Sequence, residues 1–208
     1  MVNKVMDDKE FLEQVEKVYQ FRNKSPIRAP GVPIGVAMVN LAMEKLGEVK
    51  KPGVIAEAKA CLSDAIQALT GCTVGNKYLI INDQIGRYAL TLYDRTTGSG
   101  VRVFVDLKKI DPVKTPEMHK FFLRQRPPEV QYDMVARAAS ARLVTEEFMA
   151  CGRNIFSWQY VRVKDLAKED ILPVRVCQGC GESFTTADKN SRYCAVCSKD
   201  CDYYETTQ

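Results

Sequence analysis

Cys177-x₂-Cys180 and Cys194-x₂-Cys197 stand thirteen residues apart, and no other feature restricts this chain's folding so tightly. Two such hooks reach an ion from opposite sides and make a tetrahedral four-thiolate site, with each sulfur about 2.3 Å from a Zn²⁺. Gly179 and Gly181 flank Cys180, so the backbone can curl and aim its amides at thiolate sulfur. A segment of this size cannot bury a core of its own, so the metal supplies much of its folding energy. The expectation is one structural Zn²⁺ per chain, held by Cys177, Cys180, Cys194 and Cys197. Cys201 is spaced less well and is read as a bystander. Arg175, Val176 and Tyr193 are expected in short ribbon strands.

Five of the eight cysteines lie between Cys177 and Cys201, a clustering that reads as metal binding rather than as a disulfide framework. The N-terminus turns acidic where a signal peptide would turn apolar, and the longest apolar run is too short for a span. A cytoplasmic protein without a membrane segment is expected. From 174 to 208, four bases face five acids, so the tail carries −1 and the rest +5 of the net +4. Four thiolates on one Zn²⁺ add a further −2, and such a surface repels phosphate. Nucleic acid is therefore disfavoured as a partner.

The 208 residues allow one sizeable core plus a small appendix. We divide the chain into an α+β domain over 1–163, a linker over 164–173 that contains "DLAKEDILP", and the ribbon over 174–208. Helical spacing marks 8–22, with Phe11, Leu12, Val15, Val18 and Tyr19, and 33–46, with Pro33 in its first turn. "GVIAEAKA" alternates like a half-buried strand. A short helix over Asp64–Thr70 is expected next, entered through Ser63 as N-cap and closed by Gly71. "KYLIIN", "RYALTLYDR" and "VRVFVDL" then read as strands joined by short turns, which favours an antiparallel meander flanked by helices. Thr115-Pro116-Glu117 opens a further helix. Pro127-Pro128 starts a long one through Ala150, with Val130, Met134, Ala138, Ala141 and Phe148 on one face. "IFSWQYVRV" alternates again, and its Trp158 is expected to pack against the core or the ribbon. The faces of the long helix and of the helix from residue 8 offer a surface for a homodimer.

"KACLSDAIQALTGCTVGN", residues 59 to 76, gathers two cysteines, an acid and an amide around one short helix. Its pattern Asp64-Ala65-Ile66-Gln67, then Thr70-Gly71-Cys72-Thr73 and Gly75, resembles the formylmethanofuran dehydrogenase E-subunit-like family. "PGVPIG" upstream and "KYLIINDQIGRYALTLYDRTTGSGVRV" downstream fit as well. The resemblance runs from about Phe11 to Val163, and many members also carry a C-terminal four-cysteine ribbon. It implies a link to molybdenum or tungsten enzymes of one-carbon metabolism. It also implies a His-Gly-His-x-Cys-Pro-Gly stretch before the second helix, suited to a transition metal. Here that stretch reads Ser25, Pro26, Ile27, Arg28, Ala29, then Pro30 and Gly31. The acid expected just before the later cysteine is replaced by Lys59 or Ala60.

Both histidines and the cysteine of that motif are gone, and cations stand around the loop at Arg22, Lys24 and Arg28. These would repel a metal ion and could draw a carboxylate or phosphate. What remains is a candidate ligand pocket of Gly31, Gly35, Cys61, Asp64, Gln67 and Cys72. Cys61, where a strand meets a helix N-terminus, is a candidate reactive thiol, because that position lowers a thiol pKa. Its plain alternative is a small packing residue. Cys61 and Cys72 lie at opposite ends of one helix, too far apart to share an ion. His119 is the only histidine, which excludes His–His metal sites and most catalytic triads. Three functions follow: a non-catalytic ligand-binding or accessory protein with structural zinc, a cysteine-dependent enzyme using Cys61, or a nucleic-acid-associated ribbon. The expected partners are a second copy, a small molecule or another protein.

Overall fold

The structure is a computed structural model that describes residues 9–22, 26–164 and 172–204. Lys24, Ser25 and most of the expected linker lie outside them. The chain divides into two compact units, 1–166 and 167–208.

The first unit is built around a central helix. Helix α1 (Lys9–Phe21) buries Phe11, Val15 and Val18 on one face, and α2 (Gly31–Leu46) is buried along almost its whole length. After β1 (Pro52–Ala56), α3 (Cys61–Thr70) carries the chain to β2 (Leu79–Ile81). Next come β3 (Ala89–Asp94), β4 (Ser99–Val105) and, after three more helices, β5 (Phe156–Arg162). Those helices are α4 (Pro116–Leu123), α5 (Glu129–Tyr132) and α6 (Met134–Cys151).

The five strands lie in the order β2-β1-β3-β4-β5. β1, β3, β4 and β5 pair antiparallel, with Val54 opposite Leu92 and Leu90 opposite Val103. The register puts Val54, Ala56, Leu90, Leu92, Val101 and Val103 on one face, all buried against the helical layer. The sheet is thus mostly antiparallel and flanked by helices, as the alternation implies. One strand departs. β2 pairs parallel with β1 and never touches β3. A strand that returns through a crossover helix comes back parallel, so "DQIG" connects across β1 and is no hairpin turn.

Two boundaries and one cap differ from expectation for identifiable reasons. Helix α3 begins at Cys61, and Ser63 sits inside it with its buried hydroxyl unpartnered. The helix expected from Pro127 breaks in two at Asp133, whose carboxylate accepts from the Val135 amide at 2.7 Å and starts α6 afresh. Met134 therefore faces outward, while Ala141, Val144 and Phe148 enter the core. Thr115 does not cap α4 through its side chain. Its hydroxyl donates to the Asp111 carbonyl, and the Glu147 carboxylate takes the Met118 amide at 2.7 Å instead. Among the described residues no helix is long and apolar enough to cross a membrane.

In the second unit β6 (Val174–Val176) and β7 (Ser183–Thr185) form an antiparallel hairpin around the first cysteine hook. Tyr193 belongs to no strand.

Candidate functional site

The C-terminal hairpin ends where Cys177 begins a tight turn. The Cys177 amide donates to the Glu182 carbonyl at 2.8 Å and the Gly181 amide returns to the Cys177 carbonyl at 2.9 Å. Gly181 has φ +79°, a left-handed conformation that glycine adopts without a Cβ clash. The Gln178 amide, bonded to the Arg192 carbonyl at 2.9 Å, brings the second hook alongside. The Sγ atoms of Cys177, Cys180, Cys194 and Cys197 then lie within 4.8 Å of one another, with Cys180 and Cys194 at 4.0 Å. Sulfurs on a tetrahedral ion with 2.3 Å bonds stand about 3.8 Å apart, so the donor set fits.

The surroundings fit too. Amides of Cys180, Cys194 and Gly179 point at the Cys177 sulfur and lower its pKa to about 6. The Cys194 and Gly179 amides lie 3.3 Å and 3.4 Å from it. Crowding by the Cys177 and Cys194 thiols pushes Cys197 up to about 12. Four sulfurs this close oppose one another's ionisation, and a cation among them would favour the thiolates. A Cβ at residue 179 would stand 2.9 Å from the Cys197 sulfur, so glycine is needed for the cage to close. Cys201 is exposed and lies outside the group.

The first-unit candidates are only partly gathered. Cys61 opens α3 behind Ala60, which holds φ 77° and ψ −146°, a region populated almost only by glycine. Its thiol packs against the start of α2, where a Cβ on Gly31 would come within 3.1 Å of Sγ and 2.9 Å of the Tyr88 hydroxyl. Gly35 similarly admits Ala65, at 3.1 Å from the equivalent position. The two glycines let α2 and α3 touch; they are packing residues. Asp64, one turn into α3, forms an ion pair with Arg22 at the end of α1. Gln67 follows one turn later, half-buried. Cys72 is elsewhere: it is buried beyond the other end of α3, with its thiol 3.6 Å from the Pro52 carbonyl.

The described cations of the loop are committed. Arg22 holds Asp64, while Arg28 holds Glu16 and stacks over the Tyr19 ring at 4.3 Å. The Tyr19 hydroxyl donates to the Ala29 carbonyl at 3.0 Å, and burial raises its pKa to about 12. Cys61 does not have the lowered pKa expected at a helix N-terminus. Burial pushes the thiol up, the Arg22 guanidinium pulls it down and the Asp64 carboxylate raises it again. Desolvation outweighs the dipole here because the thiol is packed between Gly31 and Tyr88. Tyr88 donates to the Gly31 carbonyl at 3.0 Å and is itself raised, chiefly by burial.

Two features were not foreseen from the sequence. Glu57, just past β1, is buried and receives Arg102 through a two-bond fork at 2.6 Å and 2.9 Å, with Arg87 at 2.7 Å. A partial signal was available: Glu57 in "GVIAEAKA" and Arg102 in "VRVFVDL" are opposite charges among apolar residues, although Lys59 and Asp106 add a second charge to each segment. A cleft of about 520 Å³ also opens between α1, the loop at Pro26–Arg28 and α6, lined by Phe11, Leu12, Val15, Ile27 and Met149 among others. None of Cys61, Asp64 and Gln67 lines it. His119 sits half-buried on α4, and Trp158 lies 40% exposed on β5 and is not among the buried core residues.

Residues 27–162 match the family described as "FmdE, Molybdenum formylmethanofuran dehydrogenase operon". A crystal structure of a tungsten formylmethanofuran dehydrogenase FmdE-like protein from Syntrophus aciditrophicus superposes with a TM-score of 0.75 at 32% identity. That match covers 93% of this chain and 95% of the other. A probable S-adenosyl-L-methionine-binding protein from Archaeoglobus fulgidus is 29% identical over 188 residues, 81% of this chain. The chain spans about half that protein's length, 49% of it.

Proposed function

Because the chain belongs to the FmdE family, we propose that it is a zinc-bearing, non-catalytic accessory or ligand-binding protein. It would serve the one-carbon chemistry of molybdenum or tungsten enzymes. The observation that carries this reading is the Arg22–Asp64 pair beside Cys61. A guanidinium beside the thiol disfavours a cation there, and its charge is already met by a carboxylate. Among the described residues, the group of three or more metal-ligating side chains that could hold an ion is the four-cysteine cage. Zn²⁺ suits that cage because four thiolates in tetrahedral array are its usual structural site. Eight free cysteines suit a reducing cytoplasm.

A cysteine-dependent enzyme is supported less well, since burial raises the Cys61 thiol and leaves little thiolate at neutral pH. The ligand named for the Archaeoglobus relative is not carried over, because half of that protein has no counterpart here. If a small molecule binds the first unit, the cleft between α1 and α6 has room for it. Elemental analysis tests the metal arithmetic. The purified protein should hold one zinc per chain and Cys177→Ser none. An ion retained by Cys177→Ser would sink the reading.

A further inference from the structure

The five-stranded sheet has two edges of opposite character. At one, β2 is three residues long and is soon followed by Asp83, which pairs with Lys59 at 2.7 Å. A short edge beside charges is how sheets avoid pairing with other chains. At the other edge, β5 runs seven residues, FSWQYVR, in unbroken register with β4. It has no proline and no bulge, and its one charge is Arg162 at the end.

The hydrogen-bond phase says which groups face outward. The Val163 amide bonds the Gly98 carbonyl at 2.8 Å and the Asp106 amide bonds Ile155 at 2.9 Å. Antiparallel pairs of this kind recur at every second residue. Ser157, Gln159 and Val161 therefore direct their backbone toward β4, and Trp158 and Tyr160 direct theirs to the open edge. Lys109 already takes the Phe156 carbonyl at 2.6 Å. Among the described residues, the amides and carbonyls of Trp158 and Tyr160 are left without partners. Their side chains stack edge to face at 5.2 Å beside that edge, with Tyr160 70% exposed.

We infer that β5 is the self-association strand of this protein. Two copies pair antiparallel through β5 about a two-fold axis at Gln159, joining two five-stranded sheets into one. The occupant is a second copy because the edge complements itself. The axis sets Trp158 of one copy opposite Tyr160 of the other, twice over, an aromatic cross-strand pairing that stabilises a sheet. It also sends the two Arg162 side chains to opposite ends, so the like charges stay apart. The helix faces that the sequence offers a second copy are in part used internally: Phe11, Val15, Ala141, Val144 and Phe148 are buried, while Leu12 and Met134 stay exposed.

Sedimentation velocity of the zinc-loaded full chain over a concentration series tests it. The expected species has twice the 23.4 kDa chain mass. Tyr160→Lys should weaken association about 30-fold by removing two cross-strand pairs and adding like charges near the axis, with unchanged thermal unfolding at low concentration. Val135→Lys, on the exposed side of α6, should leave association unchanged. Residues opposed at a non-hydrogen-bonded antiparallel site lie about 4.5 Å apart, within disulfide range. Gln159→Cys should therefore form a 159–159 disulfide with oxidised glutathione, mapped by mass spectrometry. A monomer at every concentration overturns the inference, as does a dimer that Tyr160→Lys leaves intact. A dimer lost with Val135→Lys, or one in which position 159 forms no symmetric disulfide, overturns it too.

Discussion

Cys177 and Cys61 each sit where a strand gives way to a turn, beside glycine, and their chemistry diverges completely. Around Cys177 the chain brings amides and three further thiols, and its pKa falls to about 6. Around Cys61 it brings Gly31, the Tyr88 hydroxyl and a closed Arg22–Asp64 pair, and burial pushes the thiol up. A cysteine's role is set by what approaches its sulfur, and the two units differ in the same way as their cysteines. The second unit exposes Val174, Val176, Tyr193 and Tyr203 and has little to bury. The first packs α1, α2, α3 and one sheet face into a single core. One unit should depend on an ion and the other on apolar burial.

Removing the metal is the sharpest way to break that contrast. A strong chelator, or Cys177→Ser, should unfold the second unit, a loss on the order of 10 kcal/mol of coupled binding and folding. The first unit should be unaffected. Trp158, the single tryptophan, lies in the first unit, so its fluorescence should stay constant while the backbone signals of the ribbon collapse. A change at Trp158 in step with metal loss would show that the units fold as one.

The counterpart in the first unit is Glu57. Replacing it with Gln leaves Arg102, only 13% exposed, without its carboxylate, and should cost about 3 kcal/mol in denaturant unfolding. The pH dependence follows from the direction of its shift. Burial raises the Glu57 pKa, but the Arg102 fork and Arg87 outweigh it, so the folded value lies below the ordinary 4.5. The group's stabilisation is therefore present above 4.5 and lost as pH falls through the folded value. The Trp158-reported transition should weaken in that acid window, and Glu57→Gln should flatten the loss.

How much of this was legible depended on whether the signal was local. The cage was readable because metal spacing is written in four cysteines and two glycines within a short segment. The helical periodicity of α1 and α2 and the alternation of β3, β4 and β5 were equally local. The position of β2 was not. "DQIG" has turn composition, and only the crossover through α3 decides that β1 lies between β2 and β3. The Cys61 surroundings failed for the same reason. A helix N-terminus lowers a thiol pKa when water reaches it, and nothing near residue 61 in sequence announces that Gly31 and Tyr88 will close over it. Glu57 with Arg102, forty-five positions apart, shows the limit from the other side: two odd charges in apolar strands hint at a pair, but the register makes it.

The Cys61 side of the comparison sharpens with two substitutions. Asp64→Asn removes a carboxylate that raises the thiol, and Arg22→Gln removes the cation that lowers it. Alkylation at neutral pH should therefore run faster in Asp64→Asn than in wild type, and slower in Arg22→Gln. A shift of one unit changes the thiolate fraction about tenfold, so effects up to that size are expected. Equal rates in all three proteins would mean that access to the thiol, and not its charge, controls its reactivity.

The smallest effect concerns the residue before that thiol. Ala60 occupies φ 77°, ψ −146°, where an L side chain is strained by about 1–3 kcal/mol. The surrounding backbone imposes this. The Glu57 amide is tied to the Ala89 carbonyl at 2.9 Å, the Asn82 amide to Ala56 at 2.8 Å and the Ser63 amide to the Ala60 carbonyl at 3.1 Å. With Glu57 fixed by the sheet and Cys61 opening α3, the chain turns from strand to helix within Ala58, Lys59 and Ala60. Ala60→Gly relieves the strain but gains freedom in the unfolded chain, worth roughly 0.5–1 kcal/mol against it. The net should be a stabilisation of about 1 kcal/mol, read as a modest rise in the Trp158-reported midpoint with the metal content unchanged. A fall instead would mean that the turn is not strained, and that Cys61 is presented by an ordinary helix start.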